Sequence, residues 1–427
     1  MMRLSSACCC LLFCFIGLGP ALLYAQQSEP PAATPTRLSL EMATEILMAR
    51  NPTLLRERQN IAVARGASVD AKKIPNPEFQ LSSESYPLFQ SNPGPFINNS
   101  ETILEVSQTI ETAGKRRKRT AVATQDVRVS ESSLQDIIRQ LQLEMKNRYF
   151  AVSLAKAQYD LAQQILSEYD KVVKVNEARY KQGEVSGFEF SRLQTERLRF
   201  FNDVIDSELQ LKNSKAALLE LLGADPGAMD FDVTDPLKSA PLSVSLPDLQ
   251  EQALQARADL TAQRQRVERG SRALTFQKAQ AVPNITPSFG YKRNLTQNAV
   301  AFGVNIPLPL FNRNQGGIAQ ANAQFEQQRY EQTRVELEVR RDVQQAFNSV
   351  QAQNQRVEGL QKTYVPSAQR ARDIAESSYR LGALELIGFL DVQRAYREAL
   401  RSYNQALFDQ REAVALLEAA IGKDLPK

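Results

Sequence analysis

Any chemistry in this chain has to be done without histidine. The chain also has no tryptophan, and its four cysteines (Cys8, Cys9, Cys10 and Cys14) all fall in the first 14 residues. Thiolate and imidazole are the ligands that zinc and copper centres favour. Histidine is also the usual acid–base residue and half of the usual nucleophile–base pair. No cofactor or resident metal is expected. Catalysis by carboxylates alone would need an isolated pair, and none stands out among the 48 Asp+Glu, so no enzyme is expected. Polar contact remains. Arg179-Tyr180-Lys181-Gln182-Gly183 runs on to Phe190 and Gln194, and Ser378-Tyr379-Arg380-Leu381-Gly382 runs on to Phe389 and Gln393. Tyr and Arg at such corners can hydrogen-bond neighbouring elements, while Gly is also the ordinary helix C-cap. The third candidate is the basic run Lys115-Arg116-Arg117-Lys118-Arg119.

The two corners lie 199 residues apart, and the same offset carries Leu222-Gly223-Ala224-Asp225 onto Ile421-Gly422-Lys423-Asp424. One unit of roughly 200 residues is duplicated, which suits a pseudo-symmetric wall better than a single active site. Each unit opens with helical sequence, 38–73 (interrupted near Pro52) and 246–279, and each such stretch ends at Pro-Asn. A period of two follows. Phe79 and Leu81, then Thr102, Leu104, Val106 and Ile110, alternate with polar or small residues. So do Ile285, Phe289 and Tyr291, then Val300, Phe302, Val304 and Ile306. Asn92-Pro93-Gly94-Pro95 and the segment 294–298 mark the turns. Four strands of about ten residues in two hairpins are predicted, a length that suits either a half-buried sheet or a bilayer-spanning one.

Long helices then position the corners. Met145, Val152, Tyr159, Leu166, Val173 and Tyr180 are seven apart, as are Val343, Val350, Val357, Tyr364, Ala371 and Ser378. Sustained seven-residue spacing means supercoiling against a neighbour. Pro366 should kink or break the second long helix. Gly183 and Gly382 end the outgoing helices, and returning helices carry Phe190, Arg197, Val204, Leu211 and Leu218, and Phe389, Tyr396 and Tyr403.

Residues 1–25 read as a secretory signal: Arg3, an apolar stretch from Leu11 to Leu23, and Ala25 before the cut. Cys8 precedes that stretch instead of closing it, which argues against a lipid anchor. Without Arg3, 51 Lys+Arg face 48 Asp+Glu, a net charge of +3 that implies no nucleic-acid partner. No later apolar run reaches the length of a spanning helix, so any membrane crossing must use strands. Four strands cannot close a barrel, and an open edge in lipid is forbidden. Closed barrels hold eight or more strands, so two chains would meet the minimum and three would give twelve. The basic run, directly after a strand, is expected where sheet meets helix and where anionic headgroups lie. The expected organisation is signal 1–25, leader 26–37, first repeat 38–225 (strand hairpin about 77–110, coil hairpin about 115–223), linker 226–247 and second repeat 248–427 (strand hairpin about 284–307, coil hairpin about 316–422).

The duplicated plan, the Tyr-x-x-Gly corners and the Leu-Gly or Ile-Gly closing each unit resemble the TolC-type outer-membrane efflux proteins over essentially the whole mature chain. Gln108-Thr109-Ile110-Glu111-Thr112-Ala113-Gly114-Lys115-Arg116 and Pro307-Leu308-Pro309-Leu310-Phe311-Asn312-Arg313-Asn314-Gln315-Gly316-Gly317 are similar to segments of the heavy-metal, cation-efflux branch. The resemblance implies an α+β membrane protein. Its helix, β-hairpin and antiparallel coiled-coil units would trimerise into a twelve-stranded outer-membrane barrel and a twelve-helix periplasmic tunnel. It implies a passive exit duct docked to a periplasmic adaptor (membrane fusion) protein and a proton-driven resistance-nodulation-division pump of the inner membrane. Outer-membrane lipid would surround the barrel. Arg179, Tyr180, Gly183, Tyr379 and Gly382 match the tip where adaptors dock and the pore closes. Glu189 and Asp391 match acidic rings in the constriction, and Gly388 replaces a further acidic position. Heavy-metal cations are the implied cargo. The alternatives are a multidrug or type I secretion channel and, outside efflux, a structural coiled-coil protein, a diffusion porin or an envelope hydrolase.

Overall fold

The computed structural model describes residues 36–425, apart from 88, 90–94, 228–230, 236, 239–244 and 295–296. The signal with its cysteines, nearly all of the leader and most of the two hairpin turns lie outside the described residues. In chain order the elements are β1 (Arg37–Leu38), α1 (Leu40–Arg50), α2 (Pro52–Lys72), β2 (Glu78–Glu84), α3 (Phe96–Asn99), β3 (Glu101–Ser107), α4 (Lys115–Lys181), α5 (Gly187–Leu221) and β4 (Asp232–Val233). The second repeat follows with α6 (Leu246–Ala256), α7 (Ala258–Gln280), β5 (Thr286–Asn294), β6 (Gln297–Asn305), α8 (Gln315–Gly359), α9 (Val365–Arg380) and α10 (Leu386–Ile421).

Each repeat begins with a helical elbow. In the first, Asn51 caps α2 by accepting from the Leu54 N–H at 3.0 Å, and its amide donates to the Leu221 carbonyl at 2.7 Å. Pro52 follows at the first helical position, where its missing N–H costs nothing. In the second, the elbow residue is Arg257, only 5% exposed and paired with Asp259 (2.5 Å) and Asp342 (2.9 Å). The glycines that close each repeat pack on these elbows. Gly223 has φ +70° and a Cβ there would lie 2.6 Å from the Arg50 carbonyl oxygen. Gly422 has φ +81° and a Cβ would meet the Ala256 carbonyl at 3.3 Å. The repeated glycine is thus a close-approach requirement.

The four long strands form one antiparallel sheet in the order β2-β3-β5-β6. The register aligns Phe79, Val106, Phe289 and Phe302 in one row and Leu81, Leu104, Tyr291 and Val300 in the next. The even-odd alternation of the sequence therefore gathers these apolar side chains on one face, which turns polar at the row of Ser83, Thr102, Arg293 and Asn298 near the hairpin turns. The opposite face carries rows such as Gln80, Glu105, Gly290 and Ala301. Strands β2 and β3 have 7 residues each, against about ten expected, while β5 and β6 have 9 each. The shortening has a local cause: Ser85 takes φ 63°, which an extended ladder cannot use, and α3 occupies the return.

Helix α4 runs unbroken for 67 residues, about 100 Å at the α-helical rise. Its counterpart is interrupted as Pro366 requires. The five residues Leu360–Tyr364 form a π-helical turn between α8 and α9. Proline has no N–H and its ring crowds the carbonyl four residues back, so the helix widens there instead of ending. The heptad residues Met145, Val152, Val343, Val350 and Val357 are buried, in cores on the two elbows and along the coils. A separate core of Tyr169, Leu193, Phe200, Ala375, Leu386, Phe389 and Leu390 lies toward the coil tips. Among the described residues no helix is long and apolar enough to cross a membrane.

Candidate functional site at the coil tips

Both outgoing helices end in the same way. Gly183 (φ 77°) donates to Tyr180 O at 3.0 Å, and Glu184 donates to Arg179 O at 2.9 Å. Gly382 (φ 74°) donates to Tyr379 O at 3.1 Å, and Ala383 donates to Ser378 O at 2.8 Å. This pair of bonds closes a helix on a left-handed residue. The tyrosine then stacks on the phenylalanine ten positions on: Tyr180 on Phe190 (centroids 5.0 Å apart, planes at 7°) and Tyr379 on Phe389 (4.9 Å, 10°). Stacked aromatic pairs contribute about 1 kcal/mol beyond burial, enough to set the angle at which each helix returns.

The tips differ in what the tyrosine hydroxyl meets. Tyr379 donates to Asn176 Oδ1 at 2.9 Å, from α9 across to α4, and burial pushes its hydroxyl pKa up. Tyr180 is 44% exposed, and its hydroxyl has no hydrogen-bond partner among the described residues. Arg179 closes its own loop through Glu184 at 3.3 Å.

Just past the tips, Glu189 and Asp391 are both exposed. Glu189 completes a capping box: its N–H donates to Ser186 Oγ at 3.2 Å, and its carboxylate accepts from the Ser186 N–H at 3.3 Å. Asp391 pairs with Arg394 at 3.3 Å. The structure adds an ionic seam that the sequence reading missed. Arg394 on α10 grips Glu196 on α5 through two contacts of 3.3 and 3.2 Å, and Glu196 is 6% exposed. Arg397 meets Asp203 at 2.8 Å, with Arg401 at 3.6 Å. The signal was present: Glu196 and Asp203 are seven apart, as are Arg394 and Arg401, beside the apolar seams. With Tyr379–Asn176, these contacts tie the two coil hairpins of one chain together.

At the other end of α4 the basic run divides. Lys115 is 3% exposed and donates to Asn284 Oδ1 at 2.6 Å. Arg119 pairs with Glu111 and donates to the carbonyls of Ala71 (3.1 Å) and Lys73 (2.9 Å). Lys115 fastens the first repeat to the second at the junction, and Arg119 fastens α4 to the end of α2 within the first repeat. The expectation of a five-residue surface run is corrected to Arg116 and Arg117, which are exposed, and Lys118, which is half-buried; none has an ion pair among the described residues. The reason is helical: positions 115 and 119 share one face of α4, turned toward the 282–284 and 71–73 segments. Among the described residues no group of three or more Asp, Glu, Cys or His could hold a metal ion.

The chain as a whole is similar to known proteins in sequence and in fold. The profile of the family described as outer membrane efflux protein matches residues 44–224 and 249–423, and the chain belongs to that family. It is an outer-membrane efflux channel protein, not an enzyme. Its sequence is 23% identical over 390 residues to the cobalt-zinc-cadmium resistance protein CzcC of Cupriavidus metallidurans, covering 90% of each chain. Its fold is similar to that of the outer membrane protein VceC of Vibrio cholerae, with a TM-score of 0.74 at 20% identity over 90% of this chain and 96% of that one. It is also similar to CusC, solved in a study of transmembrane channel formation, with a TM-score of 0.74 at 17% identity over 90% and 92%.

Proposed function

We propose that three copies of this chain form the exit duct of a tripartite, proton-driven efflux system. Twelve strands would make the outer-membrane barrel and twelve helices the periplasmic tunnel, docked to a periplasmic adaptor and an inner-membrane resistance-nodulation-division pump. The observation that carries the reading is the sheet: β2 and β6 are open edges, and one face carries two successive apolar rows across all four strands. Open edges in lipid must be paired, and the twelve strands of three copies fall within the range of closed outer-membrane barrels. Divalent heavy-metal cations are the proposed cargo, supported by the likeness to CzcC across nearly the whole chain.

Arg179, Tyr180, Gly183, Tyr379 and Gly382 form the adaptor-docking and closure region in this reading. The Tyr379–Asn176, Arg394–Glu196 and Arg397–Asp203 contacts hold the closed tip. Glu189 and Asp391, three of each in a trimer, would line the constriction and concentrate cations there. Arg116, Arg117 and Lys118 would face headgroups at the barrel–periplasm junction. Deleting the gene and comparing growth with cobalt, zinc or cadmium against growth with hydrophobic drugs tests the cargo. Metal sensitivity restored by the wild-type gene supports the cation duct. Drug sensitivity with unchanged metal tolerance would replace it with a multidrug channel.

A further inference from the structure

The two segments that leave the sheet for the long helices are built differently. In the first repeat, residues 108–114 are bonded into the fold. Gln108 donates its backbone N–H to Pro287 O (3.1 Å) and its side chain to Pro75 O (2.9 Å), Ile110 exchanges bonds with Ile285 at 2.8 and 3.2 Å, and Thr112 donates to Pro283 O. In the second repeat, residues 306–313 make only local bonds among the described residues. Leu310 donates to Leu308 O at 2.9 Å across Pro309, a three-residue turn, and Arg313 Nε donates to Pro309 O at 3.2 Å. The chain first bonds to another element at Asn314, which donates to Gln277 O at 2.8 Å.

This loosely bonded strap is apolar and exposed. The even positions Val300, Phe302 and Val304 of β6 belong to the outward apolar face, and the pattern continues beyond the strand through Ile306, Leu308 and Leu310. Leu308 is 75% exposed and Phe311 is 93% exposed. Pro307 and Pro309 keep Ile306 and Leu308 extended, because the residue before a proline is held out of the helical region. Arg313, the last residue of the strap, is exposed and has no ion pair among the described residues. Aqueous exposure of four large apolar side chains in a row is costly. An apolar strip ending in a cation, at the rim where sheet gives way to helix, suits the boundary between acyl chains and headgroups.

The geometry points to the strap 306–313 as an interfacial anchor: Leu308, Leu310 and Phe311 enter the periplasmic leaflet of the outer membrane, and Arg313 meets its anionic headgroups. A lipid occupant is chosen over a second copy because the strap continues the lipid-facing row, whereas a copy pairing with β6 takes the strand edge and leaves that face open. The inference rests on the barrel reading, so its test must separate the two. The chain has no tryptophan, so one introduced indole is a clean probe. Full-length Phe311→Trp and Phe302→Trp would be reconstituted into phosphatidylethanolamine–phosphatidylglycerol vesicles with bromine at shallow or deep acyl positions.

Phe311→Trp should lose emission most with shallow bromine and resist aqueous iodide. Leu308→Trp should behave in the same way and serves if Phe311→Trp does not fold. Phe302→Trp should respond to bromine as part of the barrel wall. Quenching of Phe302→Trp but not of Phe311→Trp or Leu308→Trp would overturn the anchor and leave the barrel standing; iodide sensitivity would then place the strap in water, and resistance to both quenchers would place it under a second copy. No bromine quenching of Phe302→Trp would overturn both.

Discussion

The two coil tips have kept the same cap and the same aromatic stack, yet among the described residues only the tyrosine of the second tip is tied to a neighbouring hairpin. Tyr180 on Phe190 and Tyr379 on Phe389 have nearly the same geometry. Tyr379 then reaches Asn176, while at the position equivalent to Asn176 in the second repeat stands Ala375, which offers no acceptor. The ionic seam is equally one-sided: the counterparts of Glu196 and Arg394 at the 199-residue offset are Ala395 and Thr195. Cap and stack determine where a helix turns, and duplication preserves them. The ties determine whether neighbouring hairpins stay together, and there the copies have diverged. A ring built from alternating tips would thus be held at every second joint, which leaves the other joints free to meet a partner.

The largest expected effect lies at the elbows, where the repeats use different chemistry. Arg257→Ala would strand two partly buried carboxylates and should cost about 3–5 kcal/mol. Asn51→Ala loses a cap and one buried hydrogen bond and should cost about 1–2 kcal/mol. Thermal or denaturant unfolding of the purified protein measures both, and equal losses would erase the distinction between the elbows.

The closing glycines should follow. Gly223→Ala combines positive φ with a clash against backbone and should cost about 3 kcal/mol, whereas Gly422→Ala meets milder crowding and should cost about 1–2 kcal/mol. The same unfolding measurement ranks them, and the reverse order would contradict the packing described.

The tyrosine hydroxyls give the smallest effect and the sharpest contrast. Tyr379→Phe should lose about 1 kcal/mol of tip stability, and Asn176→Ala should match it. Tyr180→Phe should stay within about 0.5 kcal/mol of the parent. Hydrogen exchange at the last turns of α4 and α9 reads this locally; equal protection loss in the two Phe variants would show that the tips are equivalent.

Much of this architecture was legible in the residues. The period of two placed Phe79, Leu81, Leu104, Val106, Phe289 and Phe302 on one face, and the ladder register confirms it. The heptads found the long coils, and Pro366 marked the place where α8 gives way to α9. What stayed hidden depends on contacts across nearly 200 residues. A surface-type charge on a helix flank looks the same whether solvated or paired, so Glu196 and Arg394 gave no sign of meeting. For the same reason Lys115 read as part of a surface run, although it is buried against Asn284. The seven-residue spacing of the charges was the one available hint, and it needed the relative placement of α5 and α10 to become a seam.

The ties made by Tyr379, Arg394 and Arg397 are proposed to hold the duct closed at its tip. The direct measurement is single-channel conductance in planar bilayers of the full-length protein and of the Arg394→Ala, Arg397→Ala double variant, which leaves both aromatic stacks in place. The account predicts a low-conducting parent and a variant that opens more often and to a higher conductance. A variant folded like the parent and indistinguishable from it in conductance would show that these contacts do not close the tip.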